Sequence, residues 1–330
     1  MSAYFIYTVC ILFSILLPTE KVATDNNVSS NLISLSEDGG KTWKDIGTGL
    51  PQGTTAGTVY ADQNMLYLYT NKGLFQTVGD GKKANWTMDL NLKAGISHFI
   101  SGGARPIVRS FDDGFLQKAA GIGVWQPIFE DLRGHLIYNF VFRKDGNVLI
   151  SGSTGILKAK IDERPWKKKM EGKIFLDLFE KDGVLIAGGE QGVARSTDGG
   201  ETWKTTLSEV GFVTKTIELE GQIYAISRYE ESAYQFVMGP ENQVLDRLYR
   251  SGDNGLTWER LDAKLPNVKS INDITQVGND LFCSLAIGLY KSSDKGLTWQ
   301  QVLPAAEVGK FYKLATNENK LYVIQTFAGC

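Results

Sequence analysis

Acidic side chains are the residues of this sequence that could do chemistry. Hydrolysis of a glycosidic bond needs two carboxyl groups, one acting as the acid and the other as base or nucleophile. The sequence offers such groups in the segments between predicted strands, with Asp112, Glu190 and Glu230 as catalytic candidates and Asp113, Glu130, Asp131 and Glu231 beside them. Which two would face each other depends on the fold, so surface acids without a catalytic role are the alternative.

Few residues are available for any other catalytic or metal site. His98 and His135 are the two histidines, and the three cysteines are Cys10, Cys283 and Cys330. That supply suits neither a Ser-His-Asp triad nor a zinc site, and it is too small for a disulfide framework. We therefore expect no metal and no cofactor.

The charge balance argues against a nucleic-acid partner. Lys and Arg number 35 against 37 Asp and Glu, which gives a net charge of −2. Neutralising a phosphate backbone requires a basic face. The short basic run Lys167–Lys169 is interpreted as a solvated strand edge.

An octapeptide of the pattern S-x-D-x-G-x-T-W recurs four times. The copies begin at Ser36, Ser196, Ser251 and Ser292, place their aspartates at Asp38, Asp198, Asp253 and Asp294, and end at Trp43, Trp203, Trp258 and Trp299. This Asp box predicts a hairpin turn, in which the aspartate accepts backbone N–H groups of its own loop and the glycine supplies positive φ. The Ser and Thr hydroxyls are expected to satisfy backbone groups, and the Trp ring to lie buried between sheets. These residues are predicted to be structural.

All seven tryptophans follow one period. Trp86, Trp125 and Trp166 fall between the first two Asp boxes, and five of the six intervals between successive tryptophans are 37 to 43 residues long. A period near 40 residues is typical of a propeller blade of four short strands. The remaining interval, from Trp203 to Trp258, is one period with an insertion.

The two ends of the chain predict how the ring of blades closes. We name the four strands of a blade A to D from the axis outwards. A single C strand, residues 31–36, precedes the first Asp box, whereas the C-terminal segments 310–316 and 321–326 supply an A and a B strand. Pairing of the two halves would leave no raw sheet edge. We therefore predict an all-β, seven-bladed propeller of four-stranded antiparallel blades, six complete and one shared between the termini.

The face opposite the Asp boxes is where a ligand site is expected. Asp boxes join strands C and D and share a face with the A–B turns, so the D–A and B–C connections form the other face. There, blade five carries an insertion from Arg228 to Arg247, and long loops in compact repeats are usually functional or disordered. The candidate ligand-binding residues, which combine aromatic area with charged groups, are Arg228, Tyr229, Glu230, Tyr234, Arg247 and Arg133. The alternative is a hairpin that merely caps the propeller.

The four octapeptides resemble those of the Asp-box (BNR-repeat) β-propeller superfamily. Its members include sialidases, xyloglucan-processing glycosidases, sortilin-type receptors and the photosystem II assembly-factor propellers. In size and blade number the chain is most similar to the assembly-factor propellers and to uncharacterised sialidase-like bacterial relatives, a resemblance that implies binding without known chemistry. It also implies that the boxes lie away from the ligand site. A fold of this kind hosts many functions.

The enzymatic members differ from this chain in several features. Sialidases have six blades and a Phe-Arg-Ile-Pro-like motif, whereas the nearest string here, Ala104–Ile107, falls at a predicted A–B turn. A Tyr–Glu pair supplies the sialidase nucleophile, but Tyr229 and Glu230 are neighbours and would point to opposite sides of a strand. Xyloglucan-processing members resemble two propellers in tandem, and sortilin-type receptors have ten blades with a cysteine-rich module.

Residues 1–23 are interpreted as a signal peptide, with an uncleaved signal anchor as the alternative. The apolar run Ala3–Leu17 suits a signal-peptide core and is short for a membrane span. Residues 24–330 would then form a single propeller domain without a membrane span, in a secreted, periplasmic or extracellular location.

The sequence favours a binding propeller that recognises a protein or a carbohydrate. A glycoside hydrolase, sialidase-like or glucan-processing, is the alternative function, so the question of catalysis stays open at this point. A purely structural module of a surface assembly is the third possibility.

Overall fold

The computed structural model of the chain describes most residues from 32 to 327. The described ranges are 32–62, 65–78, 85–90, 92, 96–101, 106–110, 113–119, 123–161, 163–208, 210–230, 244–266, 270–307 and 310–327. Within them, backbone alone is described for residues 62, 96–101, 229, 230, 244 and 245.

The described strands form seven antiparallel sheets of four strands each, arranged as the blades of a ring. The N-terminal strands are β1 (Ile33–Ser36) and β2 (Lys44–Asp45). Blade one is β3 (Ala56–Asp62), β4 (Met65–Thr70), β5 (Gly73–Val78) and β6 (Thr87–Met88); blade two is β7 (Ile96–Ser101), β8 (Pro106–Ser110), β9 (Gly114–Lys118) and β10 (Trp125–Ile128). Blade three is β11 (Ile137–Phe142), β12 (Asn147–Gly152), β13 (Gly155–Lys160) and β14 (Lys167–Glu171); blade four is β15 (Phe175–Lys181), β16 (Val184–Gly189), β17 (Gly192–Ser196) and β18 (Lys204–Leu207).

The second half of the ring continues the same order. Blade five is β19 (Phe212–Leu219), β20 (Gln222–Glu230), β21 (Val244–Ser251) and β22 (Glu259–Arg260); blade six is β23 (Ile271–Val277), β24 (Asp280–Leu285), β25 (Gly288–Ser292) and β26 (Gln300–Leu303). The last strands are β27 (Lys310–Asn317) and β28 (Lys320–Phe327). The helical elements in the described part of the chain are two 3₁₀ turns, Glu130–Leu132 and Asp262–Lys264. The all-β, seven-bladed prediction is confirmed.

The ring closes through a blade that both ends of the chain share. Strand β1 pairs with β28, with Ile33 opposite Ile324 and Ser36 opposite Leu321, so that the sheet order is β2-β1-β28-β27. We call this sheet the closing blade. Its C and D strands come from the N-terminus and its A and B strands from the C-terminus, as predicted, because only pairing satisfies the backbone edge that each half would otherwise expose.

The position of a strand in its blade decides how polar it is. B strands such as β16 and β24 are almost entirely buried, because each has sheet neighbours on both edges and other blades on both faces. The outermost strand β14, which carries Lys167–Lys169, is largely exposed. The A–B turn at Asp182 and Gly183 has positive φ at both residues, as a tight hairpin turn with strand twist requires.

Each tryptophan stands at the start of a D strand and packs on the preceding blade. Trp299 of blade six joins the cluster of Tyr224 and Leu261 in blade five, and Trp43 joins the cluster around Phe282 in blade six. The apolar core is thereby divided into seven clusters, one at each junction between blades. The Asp-box tryptophans are only partly buried between neighbouring sheets, whereas Trp86 and Trp125 are buried.

All four Asp boxes contain the same hydrogen bonds. In blade four, the Asp198 carboxylate accepts the backbone N–H groups of Glu201 and Thr202 at 3.0 and 2.9 Å. The Ser196 hydroxyl donates to Asp198 and accepts the N–H of Gly200, which is a backbone contact of the expected kind. The Thr202 hydroxyl differs from the expectation, because it donates to the carboxylate at 2.5 Å and not to a backbone group.

The same bonds keep the box carboxylates ionised. The hydroxyl and backbone N–H of Thr298 lower the pKa of Asp294 from 3.8 to about 2. The equivalent threonine contacts hold the pKa values of Asp38 and Asp198 well below the ordinary range. A carboxylate that accepts this many hydrogen bonds is stabilised in its charged form.

A cation from the preceding blade caps each Asp box. The acceptor is always the backbone carbonyl of the fourth box residue, with Lys158 donating to Gly199 at 2.8 Å, Arg195 to Asn254 at 2.8 Å, Arg250 to Lys295 at 2.9 Å and Lys291 to Gly39 at 3.2 Å. Every donor lies opposite the residue that follows a tryptophan in its own C–D ladder. In the three blades that precede a blade without an Asp box, this position holds Leu35, Gln76 and Gln117.

The three junctions without an Asp box are joined by tryptophan N–H groups. The indole of Trp86 donates to the Ile46 carbonyl at 2.6 Å. Trp125 donates to the Asp89 carboxylate at 3.0 Å, and the equivalent bond from Trp166 to Asp131 is 2.7 Å long. Each of the seven junctions therefore has an inter-blade hydrogen bond of one of these two kinds.

Candidate functional site

Most B–C turns on the face opposite the Asp boxes are short, whereas its D–A connections run from three to ten residues. Two-residue B–C turns follow β4, β12, β16 and β24. In the turn after β16, the exposed Glu190 accepts the backbone N–H of Ile174 at 3.4 Å, across the start of its own blade. Such turns offer little beyond their own backbone to a ligand.

Blade five interrupts this plain face. Its B–C ladder has eight residue pairs, from Ile223–Ser251 to Glu230–Val244, whereas the ladder of blade four starts at the equivalent pair and has five. We call residues 228–230 and 244–246 the blade-five arm. Its three additional pairs carry the strands about 10 Å beyond the neighbouring turns, since each residue of a strand adds about 3.3 Å.

The arm begins with a bidentate ion pair. Arg228 donates from Nε and Nη2 to the two oxygens of Asp246, at 3.1 and 3.3 Å. Asp246 is 1% exposed and also accepts the backbone N–H of Ile271, the first residue of blade six, at 2.8 Å. From the sequence Asp246 is only one acid of the blade-five insertion, and no local pattern predicts these contacts.

The three candidate arginines do not gather at one point. Arg228 pairs with Asp246, and Arg247 pairs with Ser227 at the next position of the ladder. Successive positions of a strand point to opposite sides, so the two arginines lie on opposite faces of the hairpin. Arg133 is exposed in the connection between blades two and three, beside Gly114. The three arginines therefore do not form a single anion site.

The other candidates divide between described and undescribed residues. Tyr229 and Glu230 pair with Leu245 and Val244 along the arm, where the backbone is described. Asp112, Tyr234, Glu231 and residues 104 and 105 of the string 104–107 lie outside the described residues. The arm base is therefore the part of the predicted ligand region for which geometry is available.

The described carboxylates of the predicted catalytic set lie on different blades. Glu190 is in the B–C turn of blade four, and Asp113 follows the B strand of blade two. Asp131, between blades two and three, accepts bonds from Arg164 and Trp166, each at 2.7 Å. Among the described residues no cluster of three or more His, Cys, Asp or Glu side chains could hold a metal ion.

Two open hollows lie on the Asp-box side of the ring. One, of about 490 Å³, is lined by residues of blades five and six and contains one acidic side chain, Glu220. The other, of about 600 Å³, lies between blade six and the closing blade and has no acidic residue in its lining. Neither hollow brings together the two carboxyl groups that hydrolysis of a glycosidic bond requires.

An inner polar ring, which the sequence analysis missed, joins the A strands. Six A strands begin with a register shift of the β-bulge type. At three of these bulges Asn139, Asp177 and Asp273 accept the N–H of the residue that follows them. We call these three residues, with Lys215 of blade five, the inner ring.

The inner ring also crosses from blade to blade. Asp177 accepts the N–H of Thr216 in blade five at 2.8 Å. In blade five the bulge position holds Lys215, whose side chain cannot accept this N–H. Asp273 similarly accepts Leu314 N–H of the closing blade at 2.9 Å and is paired with the Lys215 ammonium group. Loss of hydration raises the pKa of Asp177. The equal spacing of residues 139, 177 and 215 in the sequence was the available signal for this ring.

Comparison with a family model places a known repeat on this geometry. Residues 194–205, which include the box of blade four, match the BNR/Asp-box repeat model. The chain is an Asp-box β-propeller. No curated protein matches the sequence of this propeller. In its described part no helix is long and apolar enough to cross a membrane.

Solved structures share the fold of this Asp-box propeller at low sequence identity. An ancestral GH74 enzyme is 15% identical over 84% of this chain and 48% of its own, with a TM-score of 0.52. YCF48 bound to a D1 peptide is also 15% identical, over 84% of this chain and 94% of its own, with a TM-score of 0.52. The GH74 xyloglucanase of Xanthomonas campestris is 13% identical over 75% and 45%, with a TM-score of 0.53. The propeller thus spans about half the length of the GH74 enzymes, and the likeness shows the fold alone.

Proposed function

We propose that this Asp-box propeller is an exported binding protein that recognises a protein or a carbohydrate through its D–A/B–C face and catalyses no reaction. The observation that carries the proposal is the blade-five arm. A ring of otherwise short turns has one blade whose B–C ladder is three pairs longer, and a projecting element of this kind supplies contact area that the turns lack. Residues 1–23 would direct export as a signal peptide and be removed in the process.

The carboxylates support binding in preference to hydrolysis. Asp131 is already bonded to Arg164 and Trp166, and Glu190 to the backbone of its own blade. Both side chains thus already hold contacts within the fold. The two hollows described above lack a pair of carboxyl groups.

The structural neighbours include a protein of the proposed type. YCF48 is captured with a D1 peptide, whereas the GH74 proteins are enzymes, so the fold accommodates both functions. The near-complete mutual coverage with YCF48 supports a single-propeller binding protein, while the GH74 proteins are about twice as long as the matched region.

The test combines a hydrolysis panel with a binding assay on the purified full chain. Fluorogenic glycosides, sialosides included, are incubated with the wild type and with Glu190→Gln and Glu230→Gln variants, and a glycan array and a partner pull-down follow. A further variant replaces residues 228–246 with the two-residue turn of blade four. Glu37→Gln, on the Asp-box side and 56% exposed, is the matched control.

We expect no turnover on the panel, and binding that the shortened arm abolishes and Glu37→Gln leaves intact. Turnover that either glutamine substitution removes would make the protein a glycoside hydrolase. Binding that survives loss of the arm would move the recognition site elsewhere on the ring.

A further inference from the structure

Asp246 connects the blade-five arm to a different blade. Its carboxylate accepts two hydrogen bonds from Arg228 within the arm and one, at 2.8 Å, from the backbone N–H of Ile271 in blade six. The pair Arg228–Asp246 is the first of the three additional pairs, so this contact lies where the arm leaves the plane of the neighbouring turns.

The contact in blade six leads directly to the inner ring. Ile271 is buried and stands two residues before Asp273, which bonds Lys215 of blade five and the N–H of Leu314 in the closing blade. The start of β23 is therefore held on both sides of its bulge. A bond from Asp246 to this segment ties the arm to one of the most constrained parts of the ring.

The arm needs such a contact because of its shape. Arg228 still pairs with Phe212 of the A strand, but beyond it the arm is a two-stranded hairpin, which is marginally stable in water and takes its direction from the contacts at its base. Asp246 is 1% exposed, whereas the Arg228 side chain is 45% exposed. The carboxylate is thus the fixed end of the pair, and charge-assisted hydrogen bonds to a buried acceptor are strong.

Building on the function proposed above, we infer that Asp246 is a positioning residue which sets the direction of the blade-five arm. The arm meets its ligand as a preformed surface. The bonds of Asp246 with Arg228 and Ile271 form a lock at the base of the arm, and Arg228 acts inside this lock and not as a free cation for an anionic ligand. A surface of fixed direction binds without the entropic cost of ordering a loop, which favours recognition of a rigid partner.

The lock is tested on the full chain by a distance measurement that needs no ligand. Cys10 and Cys330 are replaced by Ser, Cys283 is left because it is buried, and spin labels are placed at position 230 of the arm and at the exposed Lys168 of blade three. Pulsed electron resonance then compares the wild type with Asp246→Ala and Asp246→Asn. Hydrogen exchange of residues 228–230 and 244–246 is followed in parallel.

Asp262→Ala is the matched control. Asp262 is also almost fully buried and accepts a bidentate pair, from Arg260 at 2.7 and 2.6 Å, in the connection between blades five and six but off the arm. Both substitutions remove a bidentate Arg–Asp pair, and Asp246→Ala alone also removes the bond from Ile271. Only the loss of Asp246 should therefore change the arm.

We expect a narrow distance distribution in the wild type, broadening in Asp246→Ala with about tenfold faster exchange in the arm, and no change of either in Asp262→Ala. Asp246→Asn, which keeps an acceptor for Ile271, should lie between. An equally narrow distribution in Asp246→Ala, or a broad one in the wild type, would overturn the inference. If Asp246→Ala does not fold, Asp246→Asn carries the comparison, and a distribution as narrow as that of the wild type would overturn the inference.

The outcome is separate from that of the binding assays. Failure of every glycan and protein probe would remove the proposed function and leave the measured direction of the arm intact. A mobile arm that nevertheless binds would remove the positioning role of Asp246 alone.

Discussion

Arg195 gives the clearest test of the bonds that join neighbouring blades. Its Nε donates to the Asn254 carbonyl in the Asp box of blade five at 2.8 Å. Substitution by Met keeps most of the aliphatic stem and removes the charged donor. The fourth residue of that box then loses its hydrogen-bond partner from blade four.

The expected loss can be worked from the structure. A hydrogen bond from a charged donor contributes about 1.5–3 kcal/mol when it is well shielded. Because Arg195 is half-buried and the box itself lies on the surface, water can replace part of this bond. We therefore expect Arg195→Met to lower the free energy of unfolding by about 1–2 kcal/mol.

Gln117 supplies the control, since it occupies the same C-strand position in blade two and is followed by a blade without an Asp box. Gln117→Met should change the free energy of unfolding by about 0.5 kcal/mol or less. Urea unfolding followed by tryptophan fluorescence measures both variants, and hydrogen exchange at residues 254–258 locates the effect. A loss in Arg195→Met that is no larger than in Gln117→Met, or one spread evenly over all blades, would refute the reasoning.

Three further outcomes follow from the described contacts. The pKa of Asp294 is lowered from 3.8 to about 2 in the folded state. Its contribution to stability is therefore complete above pH 3.8 and is lost as the pH falls towards 2. Asp294→Asn should flatten the curve of melting temperature against pH between about pH 5 and 2. Trp86→Phe should cost about 1 kcal/mol more than Trp43→Phe in urea unfolding, because the Trp86 N–H is bonded to Ile46 and the Trp43 N–H has no partner among the described residues. Asp273→Ala should lower the free energy of unfolding by about 2–4 kcal/mol, because the Lys215 ammonium group and the N–H groups of Ile274 and Leu314 lose this acceptor. A smaller loss of stability than in Asp294→Ala would contradict an inner-ring role.

The sequence was sufficient for the architecture because its signals are local and repeated. An Asp box is complete within eight residues, so the bonds around Asp198 could be anticipated from the order of its neighbours. Seven tryptophans at one period gave the number of blades, and the incomplete repeats at the two ends gave the pairing of β1 with β28. Burial of each ring against the preceding blade then followed from its size and its place at the edge of a sheet.

The site could be predicted only as a region. The length of the blade-five insertion pointed to the arm, but it gave no sign that the guanidinium of the candidate Arg228 is bonded to Asp246. Asp246 itself is separated from Ile271 by 25 residues along the chain, and no local pattern predicts that contact. The same holds for the separation of Arg133 from the two arginines of blade five.

Turn chemistry and strand periodicity are properties of neighbouring residues, and the incomplete repeats at the two ends predicted how the ring closes, so the sequence alone determined these features. Contacts between blades depend on how each sheet is rotated about the common axis, which brings Arg195 to Asn254 and Asp177 to Thr216 across gaps of 59 and 39 residues. A side chain's partner across such a gap is decided by the angle and height at which two blades meet. For that reason the tertiary structure alone determined the bonds between blades, the inner ring and the anchoring of the arm.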